Sequence, residues 1–377
     1  GYHSFCKKYY DNSCITDKGI LNTVDNNLSP LRPLSFQLII VDEGQDMNPT
    51  YFQLVKKAYR DTSTNEGNGP QFCILGDKYQ SIYSFNDADS RFIEYADSLF
   101  NFDDREWVHC KLSTSYRLTS GMSNFLNEVV LKEDRMRVIK DGPKVRYAVL
   151  NQWNDQSFFE FKRYIDMGYK PSDIYILAPS IKSTAAPVFR LENSIKKFYE
   201  NAVNIYVPNS DEEKLKEDEI KDKLVISTFH QVKGSERKVA IVFSFDDSYL
   251  KFYNKKADPS RCPNEIYVAI TRASERLTVI HGKRNGFLPF LDLSVLAKYA
   301  LVHGEMVTHS SSAVGNNVKP GKYTVTQLTG YKPQKLLETC MQYIDITRLT
   351  DESAHIDISG QINCGTDGND RIESVSV

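Results

Sequence analysis

Two adjacent carboxylates, Asp42 and Glu43, directly follow the apolar run Leu38–Val41. A continuous apolar run of this length is typical of a strand that is buried on both faces. Ligands of open α/β sheets bind at the carboxyl ends of strands, where an aspartate can hold Mg²⁺ through water and a glutamate can orient or deprotonate an attacking water. The pair therefore indicates a hydrolytic site, with an acidic strand-end turn as the alternative that these two residues leave open.

A second apolar run, Phe72–Leu75, is followed by the sequence GDKYQSIYSF at residues 76–85. With this segment a resemblance becomes specific. The sequence DEGQD at residues 42–46 resembles motif II of the UvrD/Rep-like superfamily 1 DNA helicases, and GDKYQSIYSF resembles their motif III. The order and the spacing of the two segments fit the family, so the resemblance favours the catalytic interpretation of the carboxylate pair.

Four further segments resemble motifs of the same family. The sequence YHSF at residues 2–5 resembles a short motif upstream of motif II, LSTSYR at 112–117 resembles motif IV, TFHQVKGSE at 228–236 resembles motif V, and YVAITRA at 267–273 resembles motif VI. Each is weak by itself, because YR and TRA occur in unrelated sequences. Six signatures in the order of the family over residues 1–282 are hard to obtain by chance.

The chain alternates apolar runs with helical stretches, which predicts parallel sheets in an α/β fold. Asn48 and Pro49 predict a helix start, as a cap and a first helical residue, and Pro263 is expected to open another helix. Beyond the two runs above, further buried strands are predicted at Ile174–Ala178, Val225–Ser227, Val239–Phe243 and Leu277–Ile280.

The resemblance implies the P-loop NTPase helicase fold, with two RecA-like parallel-sheet lobes of which the first is incomplete. We expect four parts. Residues 1–110 are expected to form a partial first lobe with motifs II and III, and residues 111–290 a second lobe with motifs IV to VI. A C-terminal helical extension at 291–350 and a disordered tail at 351–377 are expected to follow.

The resemblance also implies ATP and Mg²⁺ as cofactors, with ATP between the two lobes. Positioned positive charge catalyses phosphoryl transfer, and an arginine finger contributes about 10³–10⁵ in rate. For the arginines the alternative is a surface salt bridge. By this resemblance, Asp42 would hold the metal and Glu43 would act as the base, while Gln45 and Gln80 would sense the γ-phosphate. Arg117 and Arg272 would supply positive charge from the second lobe. Tyr116 would contact adenine, Glu236 the ribose and Gly234 another part of the nucleotide.

DNA, single-stranded or duplex, is the implied partner, and it would lie across both lobes. Tyr83 and Phe85 are candidate stacking platforms, because stacking of a base on an aromatic ring contributes about 1–3 kcal/mol whatever the base; core packing is their alternative. Thr228 and His230 are expected to contact the strand backbone, and His3 is expected to do so from the first lobe. An ordinary core or surface histidine is the alternative for the last two.

The largest departure from the family is the absence of GxxxxGK[ST] anywhere in the sequence. The chain also begins without an initiator methionine, so we expect a fragment whose phosphate loop lies upstream or on a separate chain. This chain alone is then expected to hydrolyse ATP poorly or not at all, because backbone amides and a lysine would be missing from the phosphate cradle. Three smaller departures put DNA affinity in doubt, at Asn86-Asp87, Ser115 and Ser235.

Bulk properties set further limits. The 377 residues carry a net charge of −2, which excludes a strongly basic overall surface but not a basic cleft. The seven cysteines are dispersed and form no CxxC pair, which argues against zinc ribbons and favours a reducing compartment. No apolar run is long enough for a membrane span and no signal peptide is evident, so we expect an intracellular protein, cytoplasmic or nuclear, with no membrane partner.

The most specific hypothesis is an ATP-dependent 3′→5′ DNA helicase or translocase that moves on single-stranded DNA, with the polarity taken from the family. One alternative is a non-catalytic DNA-binding remnant. Another is the helicase part of a helicase–nuclease fusion, although a plain capping helix accounts better for the sequence after residue 322. An unrelated metal-dependent hydrolase would explain Asp42 and Glu43 but would leave Arg117 and Arg272 without a role.

Overall fold

The computed structural model describes residues 1–62, 69–182, 186–200, 202–209, 215–304, 355–356 and 362–363. The chain divides into two compact units, which are Gly1–Leu112 with Gly321–Val377, and Ser113–Pro320. Both units are of α/β type with parallel strands. The domain bounds expected from the sequence stay predictions, and most of the expected helical extension and tail lies outside the described residues.

The first unit contains five helices and two strands among its described N-terminal residues. Its two strands are parallel, with Leu38 opposite Gln71 and Val41 opposite Ile74. Three short 3₁₀ helices follow the strand ends. The elements are α1 Tyr2–Tyr9, α2 Asp17–Asp25, β1 Leu38–Val41, α3 Pro49–Thr62, β2 Gln71–Ile74, α4 Arg91–Glu94 and α5 Ala96–Leu99, with 3₁₀ helices at Gly44–Asp46, Lys78–Gln80 and Ser84–Asn86.

Helix α3 begins as its sequence predicts. The side-chain oxygen of Asn48 accepts a hydrogen bond of 2.9 Å from the backbone N–H of Tyr51, and Pro49 is the first helical residue. The buried face of the helix brings Phe52 within 5.2 Å of Phe92 and 5.1 Å of Phe100, measured between ring centroids. This aromatic core fixes the helix that follows the first carboxylate loop.

The second unit is built on a seven-stranded sheet in which every pair of neighbouring strands is parallel. A separate parallel pair, β3 and β4, precedes it in the chain. The strands are β3 Thr114–Thr119, β4 Arg137–Lys140, β5 Val145–Leu150, β6 Ile174–Ala178, β7 Ile205–Tyr206, β8 Leu224–Thr228, β9 Arg237–Val242, β10 Ala273–Gly282 and β11 Ala300–His303, and the sheet order is β11-β5-β10-β9-β6-β8-β7.

Helices connect the strands of this unit as the alternating pattern predicts. They are α6 Ser120–Asn124, α7 Gln156–Asp166, α8 Pro187–Phe198, α9 Glu217–Ile220, α10 Asn264–Ile270 and α11 Leu293–Tyr299, with π-helical segments at Phe125–Leu131 and Tyr249–Tyr253 and a 3₁₀ helix at Pro171–Asp173. Helix α10 follows Pro263, as expected. In the first unit, an antiparallel pair joins β12 His355–Ile356 to β13 Ile362–Asn363.

All six strands predicted from apolar runs are present. In the second unit every residue of β6 and β8 is buried, and each fully buried aliphatic side chain contributes about 1.5–3 kcal/mol. In the first unit the expectation of burial on both faces is wrong, because Ile40 is 38% exposed and β2 is only half-buried. Among the described residues β1 and β2 pair only with each other, so fewer neighbours cover them.

No helix in the described part of the chain combines the length and the apolar character needed to cross a membrane.

Candidate functional sites

The loops that follow β1 and β2 run side by side. The backbone N–H of Leu75 donates to the carbonyl oxygen of Val41 at 2.8 Å, and the N–H of Gly44 donates to the carbonyl oxygen of Leu75 at 2.8 Å. The parallel register therefore continues past the last strand residues into both loops. Asp42 and Glu43 project from the first loop with exposed side chains, as a site for an external ligand requires.

Gln45 ties the two loops together. Its side chain is fully buried; the Nε2 atom donates to the Glu43 carboxylate, and the Oε1 atom accepts a hydrogen bond of 2.9 Å from the backbone N–H of Asp77. Glu43 itself has a left-handed backbone, with φ of 54°, and its N–H donates to Asp42 at 2.9 Å. Gln45 thus positions the Glu43 carboxylate, whereas the sequence assigned it to the γ-phosphate; that assignment stays a prediction.

Two residues of the second loop were missed by the sequence analysis. Asp77 accepts hydrogen bonds from the N–H of Tyr79 at 3.0 Å and from Nε2 of Gln80 at 3.2 Å. Gly76 leaves no room for a larger residue, because a Cβ atom there would lie 2.4 Å from Oε1 of Gln45. The signal that could have identified them is their position directly after the second strand, which corresponds to that of Asp42 and Glu43 after the first.

The carboxylates of Asp42 and Glu43 suit Mg²⁺ better than a metal ion whose ligands all come from the protein. Among the described residues, no group of three or more His, Cys, Asp and Glu side chains could hold a metal ion. Mg²⁺ keeps several waters and binds through one or two carboxylates together with substrate phosphates. An exposed Asp42 at a strand end, beside Glu43, fits that donor set.

His3 belongs to a polar network between three helices. One ring nitrogen lies 2.8 Å from Oδ1 of Asp17, and the Tyr51 hydroxyl donates to the same oxygen at 3.0 Å. Tyr2 stacks on Tyr51 with ring centroids 4.3 Å apart. Burial, followed by the neighbouring Tyr51, Asp46 and Asp42, raises the pKa of Tyr2. The upstream YHSF segment therefore lies near the first carboxylate loop, and the His3 side chain is held by Asp17.

Tyr83 and Phe85 form an aromatic pair at the surface of the first unit. Their ring centroids are 5.9 Å apart and the rings are nearly perpendicular. Phe85 is 64% exposed, whereas Tyr83 is half-buried. Core packing, the alternative considered for both residues, does not describe Phe85. The exposed ring is available for stacking on a base.

In the second unit Arg117 and Glu236 pair with each other. The Arg117 Nε donates to the Glu236 carboxylate, and Nη1 lies 3.4 Å from the carbonyl oxygen of Thr271. Side-chain exposures of 33% for Arg117 and 50% for Glu236 place the pair at the surface. The sequence had assigned Arg117 to the γ-phosphate, with a surface salt bridge as its alternative, and Glu236 to the ribose. The structure shows a surface salt bridge between them, and both nucleotide assignments stay predictions.

Arg272 lies in the interior, with only 2% of its surface exposed. Its Nε donates to the carbonyl oxygen of Val268 at 2.9 Å, Nη2 donates to the Thr271 hydroxyl at 3.0 Å, and Nη1 lies 3.4 Å from the carbonyl oxygen of Ser235. The guanidinium groups of Arg117 and Arg272 therefore reach the same two chain segments, 235–236 and 271. A surface salt bridge, the alternative for Arg272, does not describe a buried guanidinium.

The loop after β8 contains the remaining predicted residues. Thr228 is 1% exposed, and its hydroxyl and N–H both donate to Oε1 of Gln231, at 3.0 and 3.1 Å. This buried geometry does not favour the expected contact of Thr228 with DNA, which stays a prediction. His230 is half-buried, and Gly234 has a φ of 84°, a conformation that favours glycine. Tyr116, expected to stack on adenine, is 70% exposed on β3.

Comparison with known proteins gives a family-model match in the first unit and matches to curated DNA helicases. The family model described as the UvrD/REP helicase N-terminal domain matches residues 16–101. Over 98 residues the chain is 34% identical to the ATP-dependent DNA helicase UvrD1 of Mycobacterium tuberculosis, a match that covers 26% of this chain and 12% of that protein. Over 145 residues it is 28% identical to an ATP-dependent helicase/nuclease subunit from Staphylococcus haemolyticus, covering 37% of this chain and 12% of that protein.

Each of these matches thus spans about an eighth of the curated relative's own length. Among solved structures, the C-terminal domain of a possible DNA helicase from Lactobacillus plantarum is similar over 50% of this chain and 98% of its own, at 14% sequence identity. Its TM-score of 0.33 is too low to bear on the fold or on the function.

Proposed function

We propose that this chain, which belongs to the UvrD-like helicases, is part of an ATP-driven motor that moves in the 3′→5′ direction along single-stranded DNA. The observation that carries this proposal is the arrangement of the two strand-end loops. A buried glutamine, Gln45, holds the Glu43 carboxylate from one loop and the Asp77 backbone from the other. Carboxylates that are fixed in this way at the ends of parallel strands suit hydrolysis of a nucleoside triphosphate.

In this proposal Asp42 would hold Mg²⁺ when it is bound with ATP, and the metal would supply charge neutralisation for the phosphates. Glu43 orients and deprotonates the attacking water. Its contact with Gln45 fixes the direction of the carboxylate, and general bases of this kind contribute about 10²–10⁴ in rate. Gln80 is held by Asp77 at 3.2 Å and is the candidate for sensing the γ-phosphate.

The second unit supplies the candidate cations and nucleotide contacts. Arg117 and Arg272 converge on chain segments 235–236 and 271, and positioned guanidinium groups are the usual means of stabilising a transferring phosphoryl group. Tyr116 is the candidate for adenine stacking. The remaining nucleotide contacts are proposed at Gly234 and Glu236.

DNA binding in this proposal depends mainly on exposed aromatic and polar side chains. The exposed Phe85, supported by Tyr83, is the candidate stacking platform, and base–aromatic stacking contributes about 1–3 kcal/mol without sequence preference. His230 is the candidate for a backbone contact in the second unit. His3 and Thr228 are weaker candidates, because Asp17 holds the first and Gln231 the second.

The 377 residues contain no GxxxxGK[ST] sequence. We therefore propose that the cradle for the β- and γ-phosphates comes from another segment or another chain. ATP binding to these residues alone is expected to be weak, and it should depend on Mg²⁺ through Asp42.

The test of this function is Mg²⁺-dependent binding and hydrolysis of ATP, with and without single-stranded DNA. Hydrolysis is measured with the segment or chain that supplies the phosphate cradle present. Under these conditions we expect Glu43→Gln to retain ATP binding and to lower hydrolysis about 100-fold or more, because the base is lost while the shape is kept. Asp42→Asn should remove the Mg²⁺ dependence of binding. The matched control is Glu106→Gln, which removes an exposed carboxylate in the same unit. The proposal fails if millimolar Mg²⁺-ATP does not bind, or if Glu43→Gln and the control behave alike.

A helicase–nuclease is the second candidate function, and the match to the helicase/nuclease protein of Staphylococcus haemolyticus is the observation that favours it. The discriminating measurement is degradation of labelled single-stranded DNA in the presence of Mg²⁺. A motor without nuclease activity leaves the strand intact, whereas the second candidate shortens it.

A further inference from the structure

Tyr175, on strand β6, is a buried residue of the second unit whose hydroxyl reaches a loop far from it in sequence. Only 1% of its surface is exposed, and its backbone lies between Val225 of β8 and Ala240 of β9 in the sheet. The Tyr175 hydroxyl donates a hydrogen bond of 3.0 Å to Oγ of Ser235. Tyr175 lies outside the six family-like segments, and no role was predicted for it.

Ser235 lies in the loop between β8 and β9, at the point where both candidate arginines contact the chain. Its Oγ donates to the carbonyl oxygen of Val232 at 2.8 Å, and its N–H donates to the same oxygen at 3.1 Å. The Ser235 carbonyl oxygen lies 3.4 Å from Nη1 of Arg272. The next residue, Glu236, accepts a hydrogen bond from Arg117. The position of Ser235 therefore affects where both guanidinium groups lie.

The Tyr175 ring is itself held in place, so its hydroxyl is a fixed donor. The guanidinium group of Arg237 lies over the ring, 4.8 Å from its centroid, an arrangement that attracts a cation to an aromatic face. Nη1 of Arg237 donates to the carbonyl oxygen of Lys223 at 2.6 Å, and Nη2 donates to that of Ile220 at 3.0 Å. Strand β6 is buried throughout and paired on both sides. A rigid part of the sheet thus anchors the loop.

We propose that Tyr175 is a positioning residue for the nucleotide chemistry, because its hydroxyl fixes Ser235 and thereby sets the positions of the Arg272 and Arg117 guanidinium groups. This inference rests on the proposed function and adds a residue that does not touch the nucleotide. A displacement of about 1 Å in a catalytic group can lower a rate about 100-fold, so such a residue can control the rate. Ser235 is one of the departures from the family pattern, so the hydrogen bond belongs to this chain rather than to motif V.

The alternative is that Tyr175 only fills space in the core. Tyr175→Phe separates the two interpretations, because it keeps the ring beneath Arg237 and removes only the hydroxyl. The matched control is Tyr164→Phe. Tyr164 is also buried in the second unit, and its hydroxyl forms a hydrogen bond of 2.6 Å with Oγ1 of Thr278. A loss of core packing or of any buried hydroxyl would affect both variants alike.

The kinetic test is ATP hydrolysis, measured with the segment or chain that supplies the phosphate cradle present. Tyr175→Phe should lower kcat about 10- to 100-fold and change KM less than about 2-fold, because the arginines act on the transferring phosphoryl group. Tyr164→Phe should keep both values. Ser235→Ala should lower kcat by a similar factor, and adding Tyr175→Phe to it should cause little further loss. Ser235→Thr keeps a hydroxyl and should restore most of the rate.

A spectroscopic test needs no nucleotide. The Nε–H of Arg272 donates to the carbonyl oxygen of Val268 at 2.9 Å in the interior, which favours a resolved signal in the nitrogen-15 spectrum of arginine-labelled protein. Tyr175→Phe should shift the Nε–H signals of Arg272 and Arg117, and Tyr164→Phe should leave both in place. The variants Arg272→Lys and Arg117→Lys assign the two signals.

The outcomes separate this inference from the function on which it rests. If the unaltered chain hydrolyses ATP and Tyr175→Phe matches Tyr164→Phe in kcat, Tyr175 is not a positioning residue although the proposed motor stands. Unchanged arginine signals in Tyr175→Phe would also contradict the inference. If the unaltered chain neither binds nor hydrolyses ATP, the proposed function is wrong and the inference is wrong with it. If Tyr175→Phe does not fold, the comparison of Ser235→Ala with Ser235→Thr decides the same hydrogen bond from the loop, and equal rates would overturn it.

Discussion

Arg117 donates a hydrogen bond from its Nε atom to the carboxylate of Glu236, so two residues with separate expected roles at a nucleotide hold each other. The pair joins β3 to the loop after β8, across 119 positions of the sequence. Both side chains are partly exposed. Glu236 therefore fixes the direction of Arg117 at the surface and neutralises part of its charge.

The first prediction concerns this pair. Glu236→Gln should change the free energy of unfolding by less than about 1 kcal/mol, because exposed ion pairs contribute about 0–1 kcal/mol. The same variant should bind ATP more weakly, since it removes the charged acceptor proposed to contact the nucleotide and the carboxylate that orients Arg117. Urea denaturation and ATP titration measure the two effects. Asp166→Asn, which breaks the exposed pair with Lys162, is the control, and tighter ATP binding by Glu236→Gln would instead show that Glu236 competes with the phosphates for Arg117.

The second prediction concerns the interior arginine. Arg272→Ala should lower the free energy of unfolding of the second unit by at least about 2 kcal/mol, because buried acceptors such as the Val268 carbonyl lose a donor. Arg284→Ala removes an exposed arginine and should change stability by no more than about 0.5 kcal/mol. Equal stability of Arg272→Ala and the unaltered chain in urea would show that the guanidinium is not a structural element.

Arg272 is both a buried structural residue and a candidate catalytic cation, which affects how activity data are interpreted. A loss of ATP hydrolysis in Arg272→Ala would have both a structural and a catalytic explanation. Arg272→Lys keeps a cation and part of the hydrogen bonding, so a lysine variant that folds normally but hydrolyses ATP poorly would indicate a direct role for the guanidinium.

The third prediction concerns the contact between Gly76 and Gln45. Gly76→Ala should destabilise the first unit by about 1–3 kcal/mol, because the added methyl group would overlap the buried carboxamide. In the Gln45→Ala background most of this cost should disappear, since the overlapping group has been removed. Denaturant unfolding of the four proteins in this cycle measures the coupling. Additive effects of the two changes would show that the steric contact is not the cause.

The fourth prediction concerns alkaline pH. Burial, followed by the hydrogen bond to Asp17, raises the pKa of Tyr51 from 10.0 to about 12. A raised pKa in the folded state means that the stabilising contribution is complete below about pH 10 and is lost as the pH rises through about 12. The stability advantage of the unaltered chain over Tyr51→Phe should therefore shrink between pH 10 and pH 12.

Thermal unfolding followed by circular dichroism at several pH values tests the fourth prediction. Tyr95→Phe, at a tyrosine that is 48% exposed, is the control and should show no such trend. A constant difference between the unaltered chain and Tyr51→Phe across this pH range would contradict the assigned hydrogen bond.

Strand prediction succeeded where the sequence is continuously apolar and failed where a charge interrupts the run. Strand β5 was missed because Arg146 lies within it. In the structure that charge is neutralised by Glu160 of α7, with nitrogen–oxygen distances of 2.7 and 2.8 Å. The edge strand β11 was missed because it is short and ends in the polar His303. An ion pair between distant residues cannot be identified from local composition.

The sequence by itself determined the α/β alternation, the six apolar strands and the order of the family-like segments. These features depend on local periodicity and on the residues next to each strand end, which are present in any conformation of the chain. It also placed Asp42 and Glu43 at a strand end, because they directly follow the apolar run Leu38–Val41 that forms β1.

The tertiary structure alone decided which side chains meet. It showed that Gln45 holds Glu43, that Glu236 holds Arg117, and that Thr228 is buried. Hydrogen bonds and burial depend on how strands and helices far apart in sequence pack against one another, and the spacing of residues along the chain contains no direct measure of that packing.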